Sequence, residues 1–178
     1  MKKISLIIFV AILFLYCTRV TPTEEELRQT LNKKLMINLF KTVHYEDTVI
    51  SFVNFKQRYK FLSVVFLKDY CSPCYPKFID WQTEMDSMIT PNNYTILFVI
   101  QGNSYSNFMT NVLNIKYVED KFYTIMDPEG QFLEANKEIP RWIIDSSILI
   151  DSENKIKMVG APFATPEMTD LFHEICAK

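Results

Sequence analysis

Hydrophobic and polar positions change period several times along this chain, and each change marks an element. From Phe61 to Leu67 apolar, β-branched and aromatic residues run almost unbroken, the composition of a strand buried on both faces. A short turn follows, after which Phe78, Trp81, Met85, Met88 and Ile89 recur at steps of three or four, predicting a helix with one apolar face set in the core. Pro91-Asn92-Asn93 ends it, and Tyr94 to Ile100 is a second near-continuous strand-like run. Ser106 is the expected cap of a helix carrying Phe108, Met109, Val112, Leu113 and Ile115. Phe122 to Met126 reads as a short strand, and Asp127-Pro128-Glu129-Gly130 as a turn into a helical stretch, Gln131 to Lys137. Ser147 to Asp151, the turn Ser152-Glu153-Asn154, and Lys155 to Gly160 predict a β-hairpin. Thr165 as N-cap and Pro166 at the first helical position then introduce a last helix with Met168, Leu171, Phe172 and Ile175 on one face.

Upstream, Thr23 and Glu26 form a capping box and Leu27, Leu31 and Leu35 recur every four residues, which predicts a surface helix from Glu24 to Ile37. Thr48 to Asn54 reads as an early strand. Strands alternating with helices demand crossover connections, hence an α/β fold with a central mixed sheet and helices on both faces.

At 178 residues, with 48% hydrophobic and 14% aromatic content, the chain has room for one well-packed domain plus extras. A net charge of −2 and the lack of a basic cluster argue against nucleic acid, and three glycines are too few for a Gly-rich phosphate loop. The expected partners are proteins or small molecules.

Met1-Lys2-Lys3 followed by the apolar run Ile4 to Tyr16 has the form of an export signal. The run is short for a membrane span, which needs about 20 residues. It ends at Cys17, a placement that resembles the acylated cysteine of bacterial lipoproteins. Tyr16 and Phe14 depart from the small and aliphatic residues that family prefers, so an uncleaved anchor is the alternative. Either reading places the remainder outside the cytoplasm, in the cell envelope or periplasm, where disulfide exchange is thermodynamically relevant. The expected organisation is a leader over 1–17, a tether and amphipathic helix over 18–44, and the main domain over 45–178.

The chemistry sits in Cys71-Ser72-Pro73-Cys74, between the first buried strand and the helix after it. A cysteine at a helix N-terminus lies beside unsatisfied N–H groups and the positive end of the dipole, which favours thiolate. The thiolate is the nucleophile that attacks disulfides, and a two-residue spacer lets the second thiol resolve the mixed disulfide. Pro73 suits the first helical turn, where its missing N–H costs nothing. Other readings of the pair are two zinc ligands, a permanent structural disulfide, or a relic of a redox motif. Zinc needs four ligands, and His44, His173 and Cys176 supply no paired spacing, so no metal is expected. Cys176 itself reads as a small core residue.

From about Val49 to Ile175 the chain resembles the thioredoxin-like superfamily, and specifically the membrane-anchored TlpA/ResA-type thiol-disulfide oxidoreductases of the bacterial envelope. The likeness rests on Cys71-Ser72-Pro73-Cys74 after a hydrophobic strand, and on Ile148-Leu149-Ile150-Asp151 with its turn and Lys155-Ile156, similar to the family's late hairpin. It implies a thiol-disulfide oxidoreductase whose only redox group is the Cys71–Cys74 disulfide. Cys71 would be the exposed nucleophile and Cys74 the buried resolving thiol. Protein thiols and an envelope electron donor would be its partners. Three positions depart from the family. Its cis-proline falls at Asp145, its buried aspartate at Val65, and the Trp before its dithiol at Tyr70. Trans is the default peptide geometry at Asp145, and that carboxylate, or a bound water, is the expected proton relay. A thiol peroxidase of the peroxiredoxin type is an alternative, although Phe66 to Tyr70 lacks that family's signature. A binding lipoprotein that has lost catalysis with the proline is another.

Overall fold

The computed structural model describes residues 21–45 and 48–177. The leader and Cys17 lie outside the described residues. Among those described, no helix is long and apolar enough to cross a membrane.

The centre of the molecule is a pair of parallel strands, β3 (Phe61–Lys68) and β4 (Tyr94–Gln101), in register from Phe61 opposite Tyr94 to Lys68 opposite Gln101. Their near-continuous apolar sequence suits the middle of a sheet covered on both faces. β5 (Tyr123–Met126) adds in parallel to β4, and β1 (Thr42–Tyr45) and β2 (Thr48–Ser51) extend that side antiparallel. On the other side β6 (Ile148–Ile150) pairs antiparallel with β3, and β7 (Ile156–Val159) with β6. The sheet order among the described residues is β2-β1-β5-β4-β3-β6-β7, the mixed sheet expected from the alternation of elements.

Side chains alternate across this sheet and build two cores. Leu62, Val64, Phe66, Leu97 and Val99 face one layer, with α2 (Phe52–Arg58), α5 (Gln131–Ala135) and α6 (Arg141–Ser146) contributing Phe55, Phe132, Ile143 and Ile144. Val65, Leu67, Ile96, Phe98 and Ile100 face the other, covered by α3 (Cys74–Ser87), α4 (Tyr105–Leu113) and α7 (Pro166–Cys176) through Phe78, Trp81, Phe108 and Phe172. Helices thus lie on both faces.

Several local expectations differ from the structure. The first helix, α1 (Pro22–Thr30), is capped by Thr21 rather than Thr23 and stops at Leu31. Asn32 follows at φ 66°, and the chain then runs beside β7, with Leu35 N–H donating to Asn154 O. Leu35 and Ile37 are fully buried, so their spacing served an extended segment sealing a sheet edge. Ser51 caps α2, which ends the early strand at that residue. The β1 strand and α6 were not foreseen, each being too short for a clear period. Ile89 is exposed because α3 ends at Ser87, and α4 is capped by Ser104 rather than Ser106. The Thr165-Pro166 start of α7 matches expectation, the Thr165 hydroxyl accepting from Met168 N–H.

Candidate functional site

Strand β3 delivers the dithiol. Its eight residues end at Lys68, a turn through Asp69 and Tyr70 follows, and Cys74 opens α3. Cys74 N–H donates to Cys71 O at 2.8 Å, closing the turn. Cys71 and Cys74 form a disulfide across Cα atoms 5.2 Å apart. Both are partly buried, so Cys74 is less enclosed than expected of a resolving thiol. Pro73 is exposed, with φ −70° and ψ −16°, immediately before the helix. Tyr70 is 82% exposed and holds a left-handed backbone at φ 61°. Its N–H donates to the Asp69 carboxylate and to the Tyr75 hydroxyl, which together fix the turn. Gly102 admits this turn: a Cβ there would come within 2.6 Å of Asp69 Cβ.

The partner strands of β3 are unequal in length, and that shapes the site. β4 pairs along it to Lys68, but β6 pairs only from Leu62 to Val64. Beyond Val64 the β6-side edge of β3 has no strand partner, and buried backbone groups there need others. Side chains of α3 supply them. Lys68 N–H donates to Cys74 Sγ at 3.3 Å, and Lys77 Nζ donates to Phe66 O at 3.4 Å. Lys77 Nζ also donates to Asp145 O at 2.7 Å, tying α3 to α6.

A groove of about 250 Å³ opens here, lined by both cysteines together with Phe66, Lys77, Arg141 and Asp145. Asp145 therefore borders the dithiol groove while its side chain stays half exposed. Its two carboxylate oxygens, however, share the single Arg141 Nε–H at 2.8 and 2.9 Å. The Arg141 guanidinium lies 5.0 Å above the Phe66 ring. Asp145 belongs to helix α6, and no peptide bond among the described residues is cis. Burial lowers the Lys77 ammonium to about 8, with the Asp145 carboxylate opposing the shift and Arg141 adding to it.

The remaining expectations divide. Val65 is fully buried in the core, so no acid lies at that position. Cys176 packs beside Phe172, and burial pushes its thiol up to about 12. His44 stands on β1 opposite Thr124, and His173 lies against the Phe172 ring. Among the described residues, no three His, Cys, Asp or Glu side chains gather to hold a metal. A second cavity, of about 350 Å³ and bounded by Phe40, Phe52 and Lys56, lies at the opposite end of β3 from the dithiol. Lys77 and Arg141 went unnoticed in the sequence. Lys77 was findable, because a residue three after Cys74 shares its helix face. Nothing local marked Arg141.

No family model and no curated protein sequence matches the chain. Solved structures do match it. A putative thiol:disulfide interchange protein DsbE from Chlorobium tepidum superposes with a TM-score of 0.52 at 16% identity, over 80% of this chain and 96% of that one. Thioredoxin from Wuchereria bancrofti gives 0.51 at 18%, over 82% and 100%. The thioredoxin domain of a thiol-disulfide oxidoreductase from Bacteroides vulgatus gives 0.51 at 15%, over 82% and 94%. The fold is thioredoxin-like, and the Cys71–Cys74 disulfide sits where its central strand hands over to a helix.

Proposed function

We propose that the protein is a thiol-disulfide oxidoreductase of the bacterial cell envelope, exported and membrane-anchored at its N-terminus through acylated Cys17, exchanging disulfides with protein thiols. The observation that carries this is the partly exposed Cys71–Cys74 disulfide at the start of α3, bordering an open groove. A closed structural disulfide needs no such access. Cys71, which precedes the helix, is the nucleophile that forms the mixed disulfide, and Cys74, packed against the core and bonded to Lys68 N–H, resolves it. No cofactor beyond the dithiol is required by this chemistry. The backbone of α6 lies in the groove where the resembled family carries its proline, and this favours one rival: a binding module without exchange activity.

A redox titration of the full chain in detergent, with alkylation mass mapping of Cys71, Cys74 and Cys176, separates the two. The oxidoreductase should titrate above about −300 mV, the region below which structural disulfides fall. Cys71→Ser should abolish exchange, and Cys74→Ser should accumulate covalent adducts. Full turnover by the Cys71→Ser protein would reverse the assignment.

A further inference from the structure

Dithiol exchange needs a group to take the proton of the resolving thiol, because the thiolate, not the thiol, attacks. The β3 strand has no acid for this, since Val65 fills that position in the core. The Asp145 carboxylate is held by Arg141. The Lys77 amine is placed differently. Cys74 and Lys77 are three residues apart on α3 and so share a face. Both reach the same open edge of β3, the sulfur to Lys68 N–H and the amine to Phe66 O. Those two backbone groups lie within the ~6.6 Å that two residues of strand span. Cys74 and Lys77 also line one groove.

We infer that Lys77 is the proton acceptor for the Cys74 thiol, a role that rests on the oxidoreductase reading above. Its bonding fits a neutral amine. The two partners of Nζ, Phe66 O and Asp145 O, are carbonyls that can only accept. An –NH₂ group has two N–H donors, so both bonds persist when it is unprotonated, and the lone pair occupies the remaining position. The charged groups facing it are Lys68, Arg141 and Asp145. With its ammonium lowered to about 8, roughly a tenth of Lys77 is neutral at pH 7 and about half at pH 8.

The steps balance as follows. Cys71 thiolate attacks a client disulfide, the Cys71–client S–S bond forms, and the first client thiolate leaves. Neutral Lys77 takes the Cys74 proton. The Cys74 thiolate attacks Cys71 sulfur, the Cys71–Cys74 bond forms, and the Cys71–client bond breaks. The departing client thiolate recovers the proton from the Lys77 ammonium. The client disulfide has gained two electrons and the dithiol has lost them.

The test is single-turnover exchange of the reduced full chain with a disulfide-bonded peptide from pH 6 to 9.5, following release of the first thiol and decay of the mixed disulfide separately. In the native protein, resolution should rise with pH to a midpoint near 8. Lys77→Met should slow resolution by about tenfold to a hundredfold, with a much smaller effect on the first attack. Lys77→Arg keeps the positive charge and N–H donors for both carbonyls but cannot give up its proton, and should resolve as slowly as Lys77→Met. Since it retains donors for those carbonyls, it serves the test even if the Met variant folds poorly. Native-rate resolution by either variant overturns the inference while leaving the oxidoreductase reading intact. A native protein that forms no mixed disulfide sinks both.

Discussion

Ser147, between α6 and β6, should be more stable as glycine. It holds φ 85° and ψ 154°, a region that glycine enters freely and that costs a side-chain-bearing residue about 1–3 kcal/mol. The strain is imposed from both sides: Ser147 N–H bonds Ile144 O, and its carbonyl accepts from Gly160 N–H. The residue is fully buried, and its hydroxyl has no hydrogen-bond partner among the described residues, a further cost of about 1–3 kcal/mol. Against these stand about 0.5–1 kcal/mol for glycine's greater freedom in the unfolded chain and about 0.8 kcal/mol for the lost carbon. Taking mid-range values, Ser147→Gly gains about 2 kcal/mol. For a chain of this length that is a rise in Tm of about 4–8 °C. Urea unfolding at pH 7, followed by far-UV circular dichroism, should show a higher midpoint at unchanged slope. Ser147→Ala separates the causes, because it removes the hydroxyl and keeps the strained backbone under a side chain. On the same values it should gain about 0.5 kcal/mol less than glycine, the strain relieved less the freedom and the carbon that glycine loses. A loss of 1 kcal/mol or more in Ser147→Gly, or equal gains from both substitutions, would refute the strain argument.

Other outcomes follow from the same contacts. Asp145→Asn should move the pH midpoint of mixed-disulfide resolution downward: the Asp145 carboxylate raises the Lys77 ammonium, and removing it leaves Arg141 to lower that group further. A carboxylate relay predicts instead a slower reaction across the whole pH range, so stopped-flow profiles of the two proteins decide between them. Asp127 is buried and accepts from Gln131 N–H and Phe132 N–H, each at 2.9 Å. Asp127→Ala should cost about 3–6 kcal/mol, two buried charge-assisted bonds at about 1.5–3 kcal/mol each. Phe132 stacks on Phe66, a wall of the groove beside the dithiol. Exchange in Asp127→Ala should therefore slow even at temperatures where it remains folded, and native stability in a urea melt would show that the bonds do not act as described.

How much of this could be read from the residues alone depends on how far apart the interacting groups lie. The two central strands were legible because an unbroken β-branched and aromatic run has few other homes, and β3 and β4 match it to within a residue. The last helix was legible because capping is chemistry between neighbours, Thr165 and Met168. The dithiol was legible for the same reason: a strand, a tight turn and a cysteine opening a helix all lie within one short stretch. The helix forecast over Glu24 to Ile37 failed because Leu27, Leu31 and Leu35 fit two explanations. Only the edge of β7, more than a hundred residues away in sequence, decided that Leu35 would be buried in an extended segment.

The groove beside the dithiol belongs mostly to that second kind. That β6 pairs β3 only as far as Val64 is a property of sheet assembly, and it leaves Phe66 O and Lys68 N–H to be satisfied by α3. Sequence named Asp145 by its offset from a hairpin. Tertiary structure put that residue in a helix, paired its carboxylate with Arg141, and turned its carbonyl toward Lys77. Periodicity and capping report on what a residue does within a turn or two of chain. The identity of a half-buried cation's partners is settled only when distant segments meet.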